Sequence, residues 1–162
     1  MASRRAFAAA LLSALTACAR ESADAADFLP VADVKQLMTA VVEPAAETYW
    51  DAVGWIIDAA GTHAVKPETA EAWDSVRNAA FVVAESGNLL MIRGRAMANP
   101  PGDAAAWAAY SRALAEMGRR AIAAAEARDP DAVFVAGGDL YEACTACHAA
   151  FAQETLRPSH QR

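Results

Sequence analysis

Between residues 31 and 157 the large apolar residues recur three and four positions apart, and that spacing favours helices throughout. Val34, Leu37, Met38, Val41, Val42, Ala45, Tyr49, Ala52 and Ile56 share one face of a first helix that begins near Val31 to Asp33, after Pro30. Pro44 interrupts this face, either as a kink or as the boundary between two helices, and Gly61 is the expected stop. Trp73, Val76, Ala80, Val83, Gly87 and Leu90 define a second helix from Pro67 to about Met91. Asn99-Pro100-Pro101-Gly102-Asp103 is the clearest loop, with Asp103 set to cap a third helix carrying Trp107, Tyr110, Leu114, Met117, Ala121 and Ala125. Asp129-Pro130 ends that helix and opens a fourth. Gly137-Gly138 within the fourth reads as a relaxed or bent turn rather than a close approach by a neighbour. Strand-like alternation is not evident. The expected fold is all-α, an antiparallel four-helix bundle.

The fourth helix ends in Cys144-Thr145-Ala146-Cys147-His148. On a helix the two thiols lie about one turn apart on one face, and His148, four residues after Cys144, shares it. Leu140 and Phe151 extend the stripe. This is the attachment motif for a c-type haem. Each thiol can add to a porphyrin vinyl group, and the imidazole can serve as the proximal axial ligand of the iron. A redox dithiol is the competing reading, but no strand-like run precedes Cys144. A zinc site is another, but it needs more ligands than the two thiols and one imidazole. The other histidines, His63 in an expected loop and His160 in a polar tail, are poorly placed to help.

The N-terminus reads as an export signal over residues 1–17, with basic Arg4 and Arg5 followed by an uncharged apolar run too short to span a membrane. Leu15-Thr16-Ala17-Cys18 resembles a lipobox, which makes Cys18 the lipid-bearing first residue of the mature chain. Cleavage near Ala23-Asp24-Ala25 is the competing reading. Ser3-Arg4-Arg5-Ala6-Phe7 also resembles a twin-arginine signal, a route for folded cargo, whereas haem attachment after export needs an unfolded motif. Residues 18–30 read as a linker, 31–157 as the domain and 158–162 as a tail. The formal charge is −6, and loss of residues 1–17 leaves twelve basic against twenty acidic residues. That balance argues against nucleic acid, and against an anionic membrane surface beyond a lipid anchor.

With the motif at the end of a fourth helix and Met38 in the first, residues 31–157 resemble the class II c-type cytochromes, the cytochrome c′ group and its low-spin relatives. The resemblance implies a haem between facing helices near the C-terminal end of helix four. It also implies a methionine at about the position of Met38 as sixth iron ligand in low-spin members. Relatives with an open site have an apolar residue there. Family members often carry an arginine a turn before the methionine, where Val34 stands, and a basic residue after the histidine, where Ala149 to Ala152 stand. Arg77 and Arg93 are the substitutes considered for propionate pairing. Homodimers are frequent in the family.

From the residues alone, Met38 is equally a core methionine, and Met91, Met97 and Met117 are weaker ligand candidates. Trp50, Trp55, Trp73 and Trp107 read as core. No nucleophile–base pair, phosphate loop or acidic dyad stands out, so an enzyme is not expected. The leading expectation is a periplasmic one-electron carrier with protein redox partners. Small-gas binding at a five-coordinate haem is the alternative. A lipid-anchored binding protein with a zinc or dithiol site is the non-haem reading.

Overall fold

The computed structural model describes residues 28–96 and 104–152. The export signal, Cys18, Met97, the Asn99–Asp103 loop with its expected cap, and His160 lie outside them. The described residues are mostly helical, 71% helix, with four helices and a small two-stranded sheet among them.

Helix α1 opens with Val34–Leu37, continues through a π-helical stretch, Met38–Val42, and closes with Glu43–Trp50. Asp33 caps it in a capping box: its carboxylate accepts the Gln36 N–H at 2.8 Å, and the Gln36 side chain accepts the Asp33 N–H at 3.1 Å. The interruption expected at Pro44 takes the form of the wide turns just before it. Proline has no N–H to give the carbonyl four residues back and crowds it, and a π-helical stretch relieves both problems without breaking the helix.

The first helix stops at Trp50, well short of Ile56 and Gly61. Gly54–Asp58 (β1) and Gly61–Val65 (β2) instead form an antiparallel hairpin, with Trp55 opposite Ala64 and Ile56 opposite His63. Trp, Ile and Ile in succession favour a pleated strand. Asp58 accepts the Ala60 N–H at 2.8 Å, and Gly61 adopts φ +126°, so the tight Ala59–Ala60 connection forms without strain on a β-carbon. His63 therefore sits in a strand, exposed and 3.4 Å from Asp58.

Helix α2, Ala70–Leu90, starts three residues later than Pro67, because Thr69 caps it through the Ala72 N–H at 3.1 Å. Helix α3 is Ala104–Ala127 and helix α4 is Pro130–Phe151. Asp129 caps α4 by accepting the N–H groups of Asp131 and Ala132. The α3–α4 connection is so short that Arg128 takes a left-handed φ of 53°.

Helices α2 and α3 form the most extensive contact, then α3 with α4 and α1 with α2. The buried core runs through Tyr49, Trp73, Ala80, Val83, Leu90, Trp107, Leu114, Ala121, Val133 and Leu140. Trp73 and Trp107 are buried as expected, but Trp50 is only half-buried and Trp55 is exposed on the hairpin. Glycines set the α2–α3 approach. A β-carbon at Gly118 would stand 2.6 Å from Ala84 Cα, and one at Gly87 would stand 2.5 Å from the Ser111 carbonyl. Both clashes are with backbone, which cannot rotate away.

Gly118→Ala should therefore lower stability by about 1–3 kcal/mol, as overpacking of a close interface does. Gly138→Ala, whose β-carbon would meet nothing within 4 Å, should raise it by about 0.5–1 kcal/mol. Urea titration followed by circular dichroism checks both signs.

Candidate functional site

Cys144, Cys147 and His148 occupy the final turns of α4, each partly buried. The two sulfurs are free thiols, and both cysteines pack against the apolar core. The i, i+3 spacing leaves their β-carbons roughly 5–6 Å apart on one side of the helix. His148 follows in the same turn, and its carbonyl accepts the Ala152 N–H at 2.8 Å, closing the helix. Phe151 lies buried one turn on, edge-to-face with Trp107 at 5.1 Å and Tyr110 at 5.9 Å. The motif thus has an anchored end.

Burial pushes the Cys144 thiol up to about 11, with the neighbouring Cys147 adding to the effect, and burial also raises Cys147. A redox dithiol needs the opposite, a thiolate favoured by a helix N-terminus or a nearby cation. Here the pair sits at the C-terminal, electronegative end of a helix. Among the described residues no three or more His, Cys, Asp or Glu side chains gather as metal ligands. A zinc ion at the cysteines would need ligands from elsewhere.

A series of side-chain contacts brings the helix ends together. Arg95, buried just after α2, donates from Nη1 to the Leu89 carbonyl at 2.7 Å and from Nε to the Ala32 carbonyl at 3.3 Å. Trp107, near the start of α3, donates from Nε1 to the Leu90 carbonyl at 2.8 Å. With Phe151 against Trp107, the entries of α1 and α3 and the exits of α2 and α4 share one end of the molecule. Met38 lies about 7 Å along α1 from its Asp33 cap. It is therefore at the same end as the cysteines and His148.

Met38 is partly buried, opens the π-helical stretch and packs on the core; its carbonyl accepts the Glu43 N–H. That stretch packs chiefly on α2, while α1 meets α4 further along, at Glu43–Trp50. There the Trp50 Nε1 donates to the Gly137 carbonyl at 2.9 Å, and a β-carbon at Gly137 would press the indole at 3.2 Å. Gly137 is thus a site of close approach, not a relaxed turn. Gly138 has open space where a β-carbon would stand.

Of the weaker ligand candidates, Met117 packs against the core in the middle of α3, and Met91 is exposed at the end of α2. Arg77 pairs with Asp74 on the α2 surface at 3.1 Å, and Arg93 is exposed. Arg95 was missed by sequence reasoning, because its partner Ala32 is 63 residues away and nothing local distinguishes it from Arg93 after the same helix end. Comparison with protein-family models, with curated proteins and with solved structures returns no match to this chain.

While they remain free, the thiols should react slowly with iodoacetamide at neutral pH, and the rate at Cys144 should rise toward a midpoint of about 11. Urea unfolding should move that midpoint back toward about 8.5. A raised thiol pKa favours the folded state below the unfolded value and ceases to do so as pH climbs through the folded one. The haem-free chain should therefore lose stability as pH rises toward about 11.

Proposed function

We propose that the chain is a class II c-type cytochrome of the bacterial cell envelope, an antiparallel four-helix bundle that holds one haem c near the C-terminal end of its fourth helix and transfers single electrons. The observation that carries this reading is the grouping of Cys144, Cys147 and His148 on one core-packed side of the last turns of α4, at the end of the molecule where Met38 also lies. The donor set fits such a group. A metal already held by a macrocycle asks of the protein only axial atoms and attachment points, and two thiols with one imidazole supply these. A bare cation would need more ligands than gather here.

Cys144 and Cys147 would hold the group covalently, each through a thioether, a linkage that a thiol and a vinyl group can make without an oxidant. His148 would supply the proximal nitrogen. Met38 would be a second residue to hold the metal, through a thioether sulfur that carries no proton and favours the reduced state. Phe151, Trp107 and Leu140 would keep water from the attachment side. A haem so held supplies one-electron chemistry, its iron passing between ferric and ferrous.

The N-terminal sequence supports export, with Cys18 as lipid-bearing first residue and redox proteins of the envelope as partners. No described helix is long and apolar enough to cross a membrane.

One measurement checks attachment and anchor together. The intact mass of protein matured with a cytochrome assembly system should include one covalent haem and a diacylglyceryl group on Cys18. A mass lacking haem, or haem that extracts fully into acid acetone, overturns the reading. Met38→Ala should convert a low-spin spectrum to high-spin, lower the reduction potential and speed carbon monoxide binding. A wild-type iron that is already five-coordinate would instead favour gas binding.

A further inference from the structure

Neither the packing of the helices nor the cysteine motif uses the apolar surface shared by the hairpin and the outer side of α4. Trp55, Ile56 and Ile57 of β1 and Phe134 and Tyr141 of α4 are each exposed by half or more. Trp55 meets Phe134 edge-to-face at 5.2 Å, and Tyr141 meets the half-buried Trp50 at 6.1 Å, so strand and helix form one continuous patch. Its area is on the order of several hundred Å², the size at which an exposed apolar patch marks an interaction surface.

We infer that this patch is a lipid-contact surface: the β1 edge of the hairpin inserts to the headgroup–acyl boundary of a phospholipid bilayer, with Phe134 and Tyr141 at headgroup level. The pleat of the ribbon decides for a fluid occupant. Neighbours along a strand point to opposite faces. Trp55 and Ile57 therefore project from one face of the ribbon and Ile56 from the other. A folded protein partner would cover one face and leave the other wet, whereas acyl chains close around both. Strand β1 carries no charge before Asp58, so the inserted residues 54–57 take no charge out of water. Trp55 and Tyr141 join an apolar ring to a polar end, and such side chains gather at membrane–water interfaces. The unpaired backbone groups on the outer edge of a two-stranded ribbon limit the depth to about 5–10 Å, where headgroup water still reaches them. A cleft of about 310 Å³, lined in part by Trp50, Phe134, Gly138 and Tyr141, opens on the same side and gives an acyl segment a seat. Anionic lipid repels a chain of charge −6, so a zwitterionic bilayer is the matching surface.

The N-terminal tether supplies a second argument, which rests on the lipid reading of Cys18. The ten residue steps from Cys18 to Phe28 reach at most about 33–36 Å. Helix α1 is roughly 25 Å long and places the hairpin at its far end from Phe28. Anchor and hairpin can thus engage one bilayer together, and a tethered patch meets that surface at an effective concentration on the order of millimolar. The hairpin and Phe134 lie by the start of α4 and the motif at its end, so the contact turns the Cys144–His148 end toward the aqueous side.

Photolabelling of the full, export-processed chain on phosphatidylcholine vesicles tests the inference. The vesicles carry a phosphatidylcholine with a diazirine on its acyl chain, and labelled peptides are mapped by mass spectrometry. Label should appear at Gly54–Asp58 and around Phe134, and should persist at high salt, which screens charge but not apolar contact. Ile57→Lys and Phe134→Lys should each cut label at β1 at least tenfold with an unchanged circular dichroism spectrum. Phe81→Lys, at an exposed position on α2, should leave it unchanged. A chain that carries the diacylglyceryl group and floats with the vesicles, yet is labelled only before Phe28, overturns the proposal and leaves the anchor standing. Label at the patch in a chain whose intact mass lacks that group upholds the proposal and removes the anchor. Label indifferent to both patch variants overturns it, as does a chain that does not float. So does an unlabelled patch in a chain that sediments as a dimer, which would give the face to a second copy.

Discussion

Long side chains bonded to backbone carbonyls hold one end of the molecule together, and the rest of the arrangement depends on them. Arg95 joins the exit of α2 to the entry of α1, and Trp107 joins the exit of α2 to the entry of α3. The carbonyls at Leu89 and Leu90 belong to the last turn of a helix, where the regular run of helical N–H donors ends; Leu89 also accepts the Ile92 N–H at 3.3 Å. Donors from elsewhere in the fold answer that need, and a hydrogen bond from a charged guanidinium is worth about 1.5–3 kcal/mol. Phe151 then packs its ring against Trp107 and fixes the end of α4 to the same point. Met38, the cysteine pair and His148 are gathered by this stitching, although more than a hundred residues separate the first from the last.

The remainder of the helix array is set by absent side chains. At Gly87 and Gly118 the α2 and α3 backbones come close enough to exclude a β-carbon, and at Gly137 the Trp50 indole takes the space. Close approach between α2 and α3 makes that pair the stiff wall of the molecule. Helix α1 is attached more lightly. Its π-helical stretch leans on α2, and its C-terminal portion meets α4.

The electrostatics of the motif separate the chemical readings. A thiol pair used for disulfide exchange is set where its thiolate is stabilised. These thiols are buried against apolar residues at the electronegative end of a helix and are held protonated. That setting is unsuited to cysteines that must be ionised on every cycle.

The sequence by itself determined the helices α2, α3 and α4 and the relation of Cys144, Cys147 and His148 to one another. Both are local: a 3/4 apolar spacing and a three-residue interval translate directly into a helix face. The helix starts near Asp33 and at Pro130 were legible for the same reason. The hairpin was not, because Trp55, Ile56 and Ile57 continue an apolar helical stripe as readily as they form a strand, and only five residues speak for either. Nor was the role of Gly137, which is decided by an indole 87 residues away. The tertiary structure alone put Met38 at the motif's end of the molecule through Arg95 and Trp107. It also left Trp55 outside the core, on a ribbon that the helices do not cover. Contacts between distant segments depend on how whole helices stack, and no interval in the sequence encodes them.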